Sequence, residues 1–439
     1  MRYIPNTDPD RKAMLDAIGR SSMEELFSDI PQVVKDRFQP LGLLPKSEME
    51  VRTELGSLAQ KNDAAEATSF LGGGIYDHYI PSVVQHITAR SEFYTAYTPY
   101  QPEIAQGTLT AMFEFQTLLC ELTGMEIANS SMYDGATALA EAAMMAARVS
   151  GKKKIAVSHA LFAHYRRVLN TYCWASGIEI LEIPTIDGRC DLSGVPSGVG
   201  GVIVQSPNAF GVIEDLTGVK ESIGDALLIV AVNPVSLAIL TPPGELEADI
   251  VTGEGQPFGL SASFGGPLLG LFATRKAYLR QMPGRLVGQT VDAAGAIGYT
   301  MVAQTREQHI RRQKATSNIC TNAQLCALTA TVYMASLGGD GLRELAMLNL
   351  EKAHYLEQQL SKLPGCSLAY GAPFFNEFVL RVPVDPQQVR DSLREEGILT
   401  DDPAHLEVLG VTGALRFAVT ERRSKEELDR TVDLVGGML

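Results

Sequence analysis

Between Lys220 and Lys276 the chain has no lysine, and that gap spans its most glycine-rich loop. Val251–Gly270 reads V-T-G-E-G-Q-P-F-G-L-S-A-S-F-G-G-P-L-L-G, with six glycines in twenty residues and Glu254 as its one ionisable side chain. Glycine at that density lets backbone approach a ligand or another chain closely, because no Cβ intervenes. Loops of this kind end strands in α/β enzymes and often carry the chemistry. This one is built like an active-site loop, yet it has no amine or nucleophile.

Other absences narrow the field. The six cysteines (Cys120, Cys173, Cys190, Cys320, Cys326, Cys366) form no C-x-x-C pair and no metal spacing with the seven histidines. Reduced, mostly buried thiols in a cytoplasmic protein are expected. No apolar run reaches the ~18 residues that span a bilayer. The best candidate, Ile223–Leu240, is broken by Asp225, Asn233 and Pro234. The opening Met1-Arg-Tyr-Ile-Pro-Asn-Thr lacks the apolar core of a signal peptide. No P-loop, G-x-G-x-x-G fingerprint, Ser/His/Asp motif or solenoid repeat is present.

What is there fits a soluble globular protein of more than one domain. The chain has 439 residues, 45% hydrophobic and 20% charged, with a net charge of −14. That acidity argues against binding to nucleic acid or an anionic membrane. The basic clusters Lys152–Lys154, Arg166–Arg167 and Arg311–Lys314 are short and read as solvated faces.

Along the chain, residues 1–65 read as a helical arm, with a capping-box pattern at Ser21-Ser-Met-Glu-Glu and breaks at Pro31, Pro40 and Pro45. From Phe70 onward short β-branched runs alternate with helical ones. Lys154–Val157, Ile178–Ile183, Gly201–Gln205, Leu227–Val232, Asp249–Thr252 and Leu268–Ala273 read as strands. Continuous apolar strands separated by helices predict a doubly wound, mostly parallel sheet covered on both faces. Met282–Ala294 reads as a loop and Ile297–Gly338 as mostly helical. Residues 66–320 are thus expected to form a large α/β domain and residues 321–439 a smaller α+β domain, closing on the capping box Ser424-Lys-Glu-Glu427.

Two constellations invite chemistry. Ser130-Ser-Met-Tyr-Asp-Gly-Ala-Thr opens a helix, where free N–H groups and the helix dipole favour an anion; Ser130, Ser131 and Thr137 add hydroxyls. Ordinary N-capping explains the same residues equally well. In Phe93–Gln101, Tyr94, Tyr97 and Tyr100 recur at three-residue spacing beside Pro99. A loop this aromatic calls for cover by a ligand, a partner or its own core.

Together these stretches resemble the glycine decarboxylase (P-protein) family of the glycine cleavage system. The resemblance rests on Phe70–Pro81, on Phe93–Gly107, on Met132-Tyr-Asp-Gly-Ala-Thr-Ala and on Gln205-Ser-Pro-Asn-Ala-Phe-Gly. It extends through Val251–Gly270, Pro283–Asp292 and Arg306–Thr321, and the length is similar to the N-terminal-half subunit of the two-polypeptide form. It implies a fold-type-I transferase-like architecture of the pyridoxal phosphate (PLP) enzymes. In the related catalytic half a lysine in a His-Lys-Thr-Phe-like run holds PLP. Here the run is Gly255-Gln-Pro-Phe, so Gln256 stands at that position, and an amide forms no imine. The strand Leu227–Val232 offers only Asn233 where an acidic partner of the pyridine nitrogen is usual.

The resemblance therefore implies a non-PLP-bearing subunit of a heteromeric glycine dehydrogenase (decarboxylating), inactive alone. A partner subunit, two copies of each, would hold PLP, and a lipoylated H-protein would receive the aminomethyl group from glycine. Residues expected to face the partner's cofactor are Tyr94, Tyr97, Thr98, Tyr100, Gln101, Arg285 and Thr290; Ser130, Ser131 and Thr137 are expected as a vestigial anion site. Two rivals stay open: a stand-alone PLP aminotransferase or desulfurase using a lysine such as Lys276, and a purely structural assembly subunit.

Overall fold

The structure is a computed structural model, and it describes residues 5–39, 41–263, 265–319 and 322–439. Pro40, Phe264, Cys320, Thr321 and the first four residues, all named above in the sequence, lie outside the described residues. The chain divides into two compact units, Met1–Ala65 and Glu66–Leu439.

The described elements of the first unit are helices and 3₁₀ turns. Helix α1 (Asp8–Ala17) and helix α2 (Glu48–Ala59) each start at a capping box, on Thr7 with Asp10 and on Ser47 with Glu50. At Ser21 the pattern produces a short 3₁₀ turn, Glu24–Phe27, rather than an α-helix, with Glu25 bonded to the Ser21 backbone and hydroxyl. No described residue of this unit is buried.

The second unit is organised on a seven-stranded sheet. Its strands are β1 (Ile127–Ala128), β2 (Lys154–Ser158), β3 (Glu179–Ile183), β4 (Gly201–Ser206), β5 (Leu227–Val232), β6 (Ile250–Glu254) and β7 (Gly270–Thr274). In space the order is β1-β7-β6-β5-β4-β2-β3. Pairs from β3 through β6 are parallel, while β7 runs antiparallel to β6 and to β1. Every residue of β4, β5 and β6 is buried. Alternate side chains feed two cores: Val202, Val204, Leu228 and Val230 join one, Ile203, Ile229 and Phe272 the other. That double burial is why β5 reads as an unbroken apolar run and β4 as one over Val202–Val204.

Four helices flank the sheet. Helix α3 (Gln106–Thr123) and the kinked helix α6 (Gln324–Leu360) serve the first core. Helix α4 (Gly135–Ser150) and helix α5 (Ala163–Ser176) serve the second. The kink in α6 is at Gly338, whose φ of 65° favours a residue without a side chain. A third core gathers Phe70 with residues between Ala353 and Val435, around strands β10 (Ser367–Leu368), β11 (Glu377–Arg381) and β12 (Ala414–Ala418). Helices α7 (Pro386–Glu395) and α8 (Lys425–Met438) cover that small sheet, and α8 starts at the expected Ser424–Glu427 capping box.

One stretch departs from the sequence reading. Met282–Ala294 and the start of Ile297–Gly338 form a hairpin, β8 (Leu286–Val291) with β9 (Ile297–Val302). Its turn, Asp292–Ala296, is closed by the Asp292 carboxylate accepting from Ala294 and Ala296 N–H. Gly288, Gly295 and Gly298 masked the alternation that marks a strand. The free cysteines among the described residues, Cys120, Cys173, Cys190, Cys326 and Cys366, are buried or half-buried. Burial pushes the Cys190 thiol up to about 12.

Candidate functional site

Strand β6 delivers the glycine-rich loop to the end of the sheet, and its last residue, Glu254, turns back into the molecule. Its carboxylate accepts from the backbone N–H of Gly135, Gln256 and Leu269, each at 2.9 Å. Gly135 opens α4, so Glu254 lies at the positive end of that helix dipole. Close approach explains the glycines here. A Cβ on Gly135 would sit 2.1 Å from the Tyr165 hydroxyl, and one on Gly270 would sit 2.4 Å from the Asp134 carbonyl. Burial pushes the Glu254 carboxyl up to about 7, against the three N–H donors that favour its charged form.

Gln256 is buried and fully used. Its amide oxygen accepts from Tyr76 N–H at 2.9 Å; its nitrogen donates to Tyr76 O at 2.9 Å and Leu260 O at 2.6 Å. The side chain thus pairs with one residue of the Phe70–Pro81 segment as a β-ladder partner would. A lysine has only donors and would leave Tyr76 N–H without its acceptor.

The same segment is tied down further along. Glu377 accepts from Gly73 N–H at 2.6 Å and from the Tyr76 hydroxyl at 2.9 Å. Arg416 lies beside Glu377, bonds Asp401 and Ala209 O, and sits 5.6 Å from the Phe162 ring. Burial works to raise the Asp401 carboxyl, but Arg416 and His405 draw it down to about 2. Burial raises Glu377 despite Arg416. The sequence reading missed this ionic cluster. Its signal was an arginine in the middle of the apolar run Ala414–Val419, since a fully buried arginine needs partners.

Between these groups little space is left. A cavity of about 10 Å³ is lined by Gly74, Tyr76, Phe162, Tyr165, Asn233 and Glu254 among others, which is room for about one water. Asn233 follows β5 as expected, and its amide is engaged with Val235 N–H and Asn376. These residues do not fit a covalently held PLP. Lys276 offers no substitute, being exposed beyond the far end of β7 from the glycine loop.

The expected anion site divides. Thr137 lies in the first turn of α4, but its N–H is taken by Asp134 at 2.7 Å and Gly135 N–H by Glu254. Ser130 accepts from Asn322 at 2.6 Å, and the buried Ser131 hydroxyl has no partner among the described residues. At the start of α4, carboxylates of the chain itself take the Gly135 and Thr137 N–H groups where an external anion was expected.

The aromatic loop is organised differently. Tyr94 and Tyr97 are 67% and 74% exposed, and Gln101 is exposed as well. Tyr100 is about half exposed and Thr98 half-buried, and both are held by Arg285 at the start of the hairpin. Arg285 itself is buried, so the expectation that it faces outward needs correction: its fork is spent inside the chain. Thr290 is exposed on β8, five residues on and about 16 Å away at the usual rise of a strand. The structure therefore joins Thr98, Tyr100 and Arg285, adds Glu307 and His309 that the sequence reading did not select, and leaves Thr290 apart. No His/Cys/Asp/Glu cluster suited to a metal occurs among the described residues. None of the described helices is long and apolar enough to cross a membrane.

Sheet order and the C-terminal lobe define the class. A glutamate decarboxylase from Lactobacillus brevis matches with a TM-score of 0.67 and 16% identity, over 92% of this chain and 95% of that one. At that identity the likeness establishes the fold alone, the fold-type-I architecture of PLP-dependent enzymes. Much nearer is a crystal structure described as glycine decarboxylase (P-protein) of the glycine cleavage system, in inhibitor-bound form. It matches with a TM-score of 0.91 and 44% identity over 100% of both chains. The family model described as Glycine cleavage system P-protein matches residues 1–435. A relative from Desulfitobacterium hafniense, named probable glycine dehydrogenase (decarboxylating) subunit 1, is 50% identical over 445 residues, covering 100% of this chain and 99% of that one. The chain belongs to the glycine cleavage system P-protein family.

Proposed function

We propose that this chain is the non-PLP-bearing subunit of a cytoplasmic, two-subunit glycine dehydrogenase (decarboxylating). The observation that carries the reading is Gln256. It stands where the resemblance requires a Schiff-base lysine, and its amide is committed to both backbone groups of Tyr76. The names of its close relatives support a partner subunit, which in this reading brings both lysine and cofactor. PLP held there would supply an electron sink for the carbanion left when CO₂ departs from glycine. The aminomethyl group then passes to the lipoyl disulfide of H-protein, which is reduced. This chain's contribution is the exposed aromatic loop, which places Tyr97, Thr98 and Tyr100 at the partner's site. Fold-type-I enzymes commonly build their sites at subunit interfaces, and two copies of each chain is the arrangement we favour.

Two measurements test this. The purified chain should show no absorbance near ~420 nm and retain no PLP–peptide after borohydride, because an amide cannot form the imine. A yellow chain with a trapped peptide would mean a stand-alone PLP enzyme. In the reconstituted pair, Tyr97→Phe with Tyr100→Phe should lower glycine–bicarbonate exchange by at least about tenfold, the loss of one or two hydrogen bonds to a charged group. Unchanged exchange would favour a purely structural subunit.

A further inference from the structure

We propose that Arg285 is a positioning residue: a buried cation that turns the hydroxyls of Thr98 and Tyr100 outward as paired donors for an oxyanion presented by the partner subunit. The oxyanion is a carboxylate or a phosphate. This rests on the reading that the aromatic loop faces the partner's cofactor.

Arg285 is only 2% exposed and is the largest fully buried side chain among the described residues. Nη1 donates to Thr98 Oγ1 at 3.1 Å and Nη2 to Tyr100 Oη at 3.3 Å. A guanidinium has only donors, so both hydroxyl oxygens act as acceptors toward it. Each hydroxyl keeps its own hydrogen, and among the described residues neither hydrogen is given to a protein acceptor. Tyr100 is 47% exposed and Thr98 half-buried, so those hydrogens are available at the surface.

The charge behind them is loosely neutralised. The nearest carboxylate, Glu307, is 3.8 Å from Arg285 Nε, beyond hydrogen-bond reach. Arg285 Nε and Glu307 Oε1 are both buried and without partners among the described residues. A cation that donates to a hydroxyl polarises it and strengthens the hydrogen bond that hydroxyl gives onward. Geometry is fixed from three sides. The guanidinium lies 5.6 Å from the Tyr100 ring, the His309 ring meets Tyr100 edge-on at 5.7 Å, and His309 Nδ1 is 3.5 Å from Glu307. Two donors on neighbouring nitrogens of one rigid plane, with positive charge behind them, select an anion over a neutral or cationic group.

The test uses the full chain reconstituted with its PLP-bearing partner, in wild type, Arg285→Gln, Arg285→Lys, Thr98→Val and Tyr100→Phe forms. Subunit association, glycine KM and kcat, and the PLP dissociation constant of the assembled pair are measured. Arg285→Gln should raise one constant by about tenfold, as expected for a charge-assisted contact. A shifted KM identifies the substrate carboxylate and a shifted PLP constant the cofactor phosphate. Arg285→Lys, which keeps charge and loses the fork, should fall between. In the isolated chain, amide exchange across residues 94–101 should quicken in Arg285→Gln, independently of any activity. Where Arg285→Gln does not assemble, the lysine variant carries the measurement. Assembled Arg285 variants with both constants within about twofold of wild type, while Tyr100→Phe or Thr98→Val shifts one, would overturn the proposal alone. If the hydroxyl variants are silent too, the loop does not face the site and both readings fall.

Discussion

The end of the sheet and the aromatic loop treat their polar groups in opposite ways. At the sheet end most strong groups are answered from within: Glu254 by three backbone N–H groups, Gln256 by Tyr76, and Arg416 by Asp401 and Ala209, with only its Nε lacking a partner among the described residues. In the loop, Tyr94 and Tyr97 face solvent, and Arg285 bonds hydroxyls rather than a carboxylate. Satisfied buried networks stabilise a fold; polar and aromatic groups left open are the ones free to recognise something. Stability should therefore reside in the first region and the response to a partner in the second.

The largest effect should come from Arg416→Met, which strands the buried Asp401 and Glu377 carboxylates. Removing one member of a buried ionic cluster costs about 3–5 kcal/mol, readable as a lower midpoint in urea unfolding. A midpoint within error of wild type would show that the cluster is not sealed.

Next is the pH dependence of Glu254. Its carboxyl is raised from 4.5 to about 7 in the folded state, so the folded chain binds that proton more tightly than the unfolded chain. Its contribution is most favourable below pH 4.5 and is lost as pH rises through about 7. The change is of the order of 3 kcal/mol, and Glu254→Gln should remove that slope from the stability profile. An unaltered slope would mean the three N–H donors outweigh burial.

Gln256→Lys should cost about 1–3 kcal/mol by leaving Tyr76 N–H unpaired in the interior. It should also leave the chain colourless in PLP, because the cavity lined by Tyr76, Asn233 and Glu254 holds only about one water. Gain of a borohydride-trapped PLP would show the cavity to be more open than this. Smallest in stability is Tyr97→Phe, expected within about 0.5 kcal/mol of wild type in the isolated chain. A melting temperature that drops sharply would place Tyr97 among the structural residues and blunt the contrast.

Much of this was legible in the sequence where one kind of residue is forced. Strands β4 and β5 show as apolar runs because both faces are covered. The glycine loop and Gln256 show because close approach and imine chemistry each admit few residues. The hairpin β8–β9 was not legible, since its glycines interrupt the alternation and its pairing is with a segment beyond a turn. Nor was the contact of Arg285 with Thr98 and Tyr100. A sequence places it near Pro283 and Gly284, whereas its partners Thr98 and Tyr100 are nearly two hundred residues away and meet it only once the helix α3 and the hairpin pack together. Arginine in the middle of β12 was visible but unread, because burial of both its neighbours is a tertiary fact.

Within the first unit, α1, α2 and the turns between them bury none of their described residues. Phe38 is 79% exposed and Leu41 and Leu43 exceed 80%. Apolar surface on that scale within one unit calls for cover. A surplus of this chain over whatever covers those residues would circulate as sticky, protease-accessible material, kept dispersed chiefly by its net charge of −14. Balanced synthesis would then matter as much as catalytic competence, and overproduction without a companion should yield inclusion bodies or clipped amino termini.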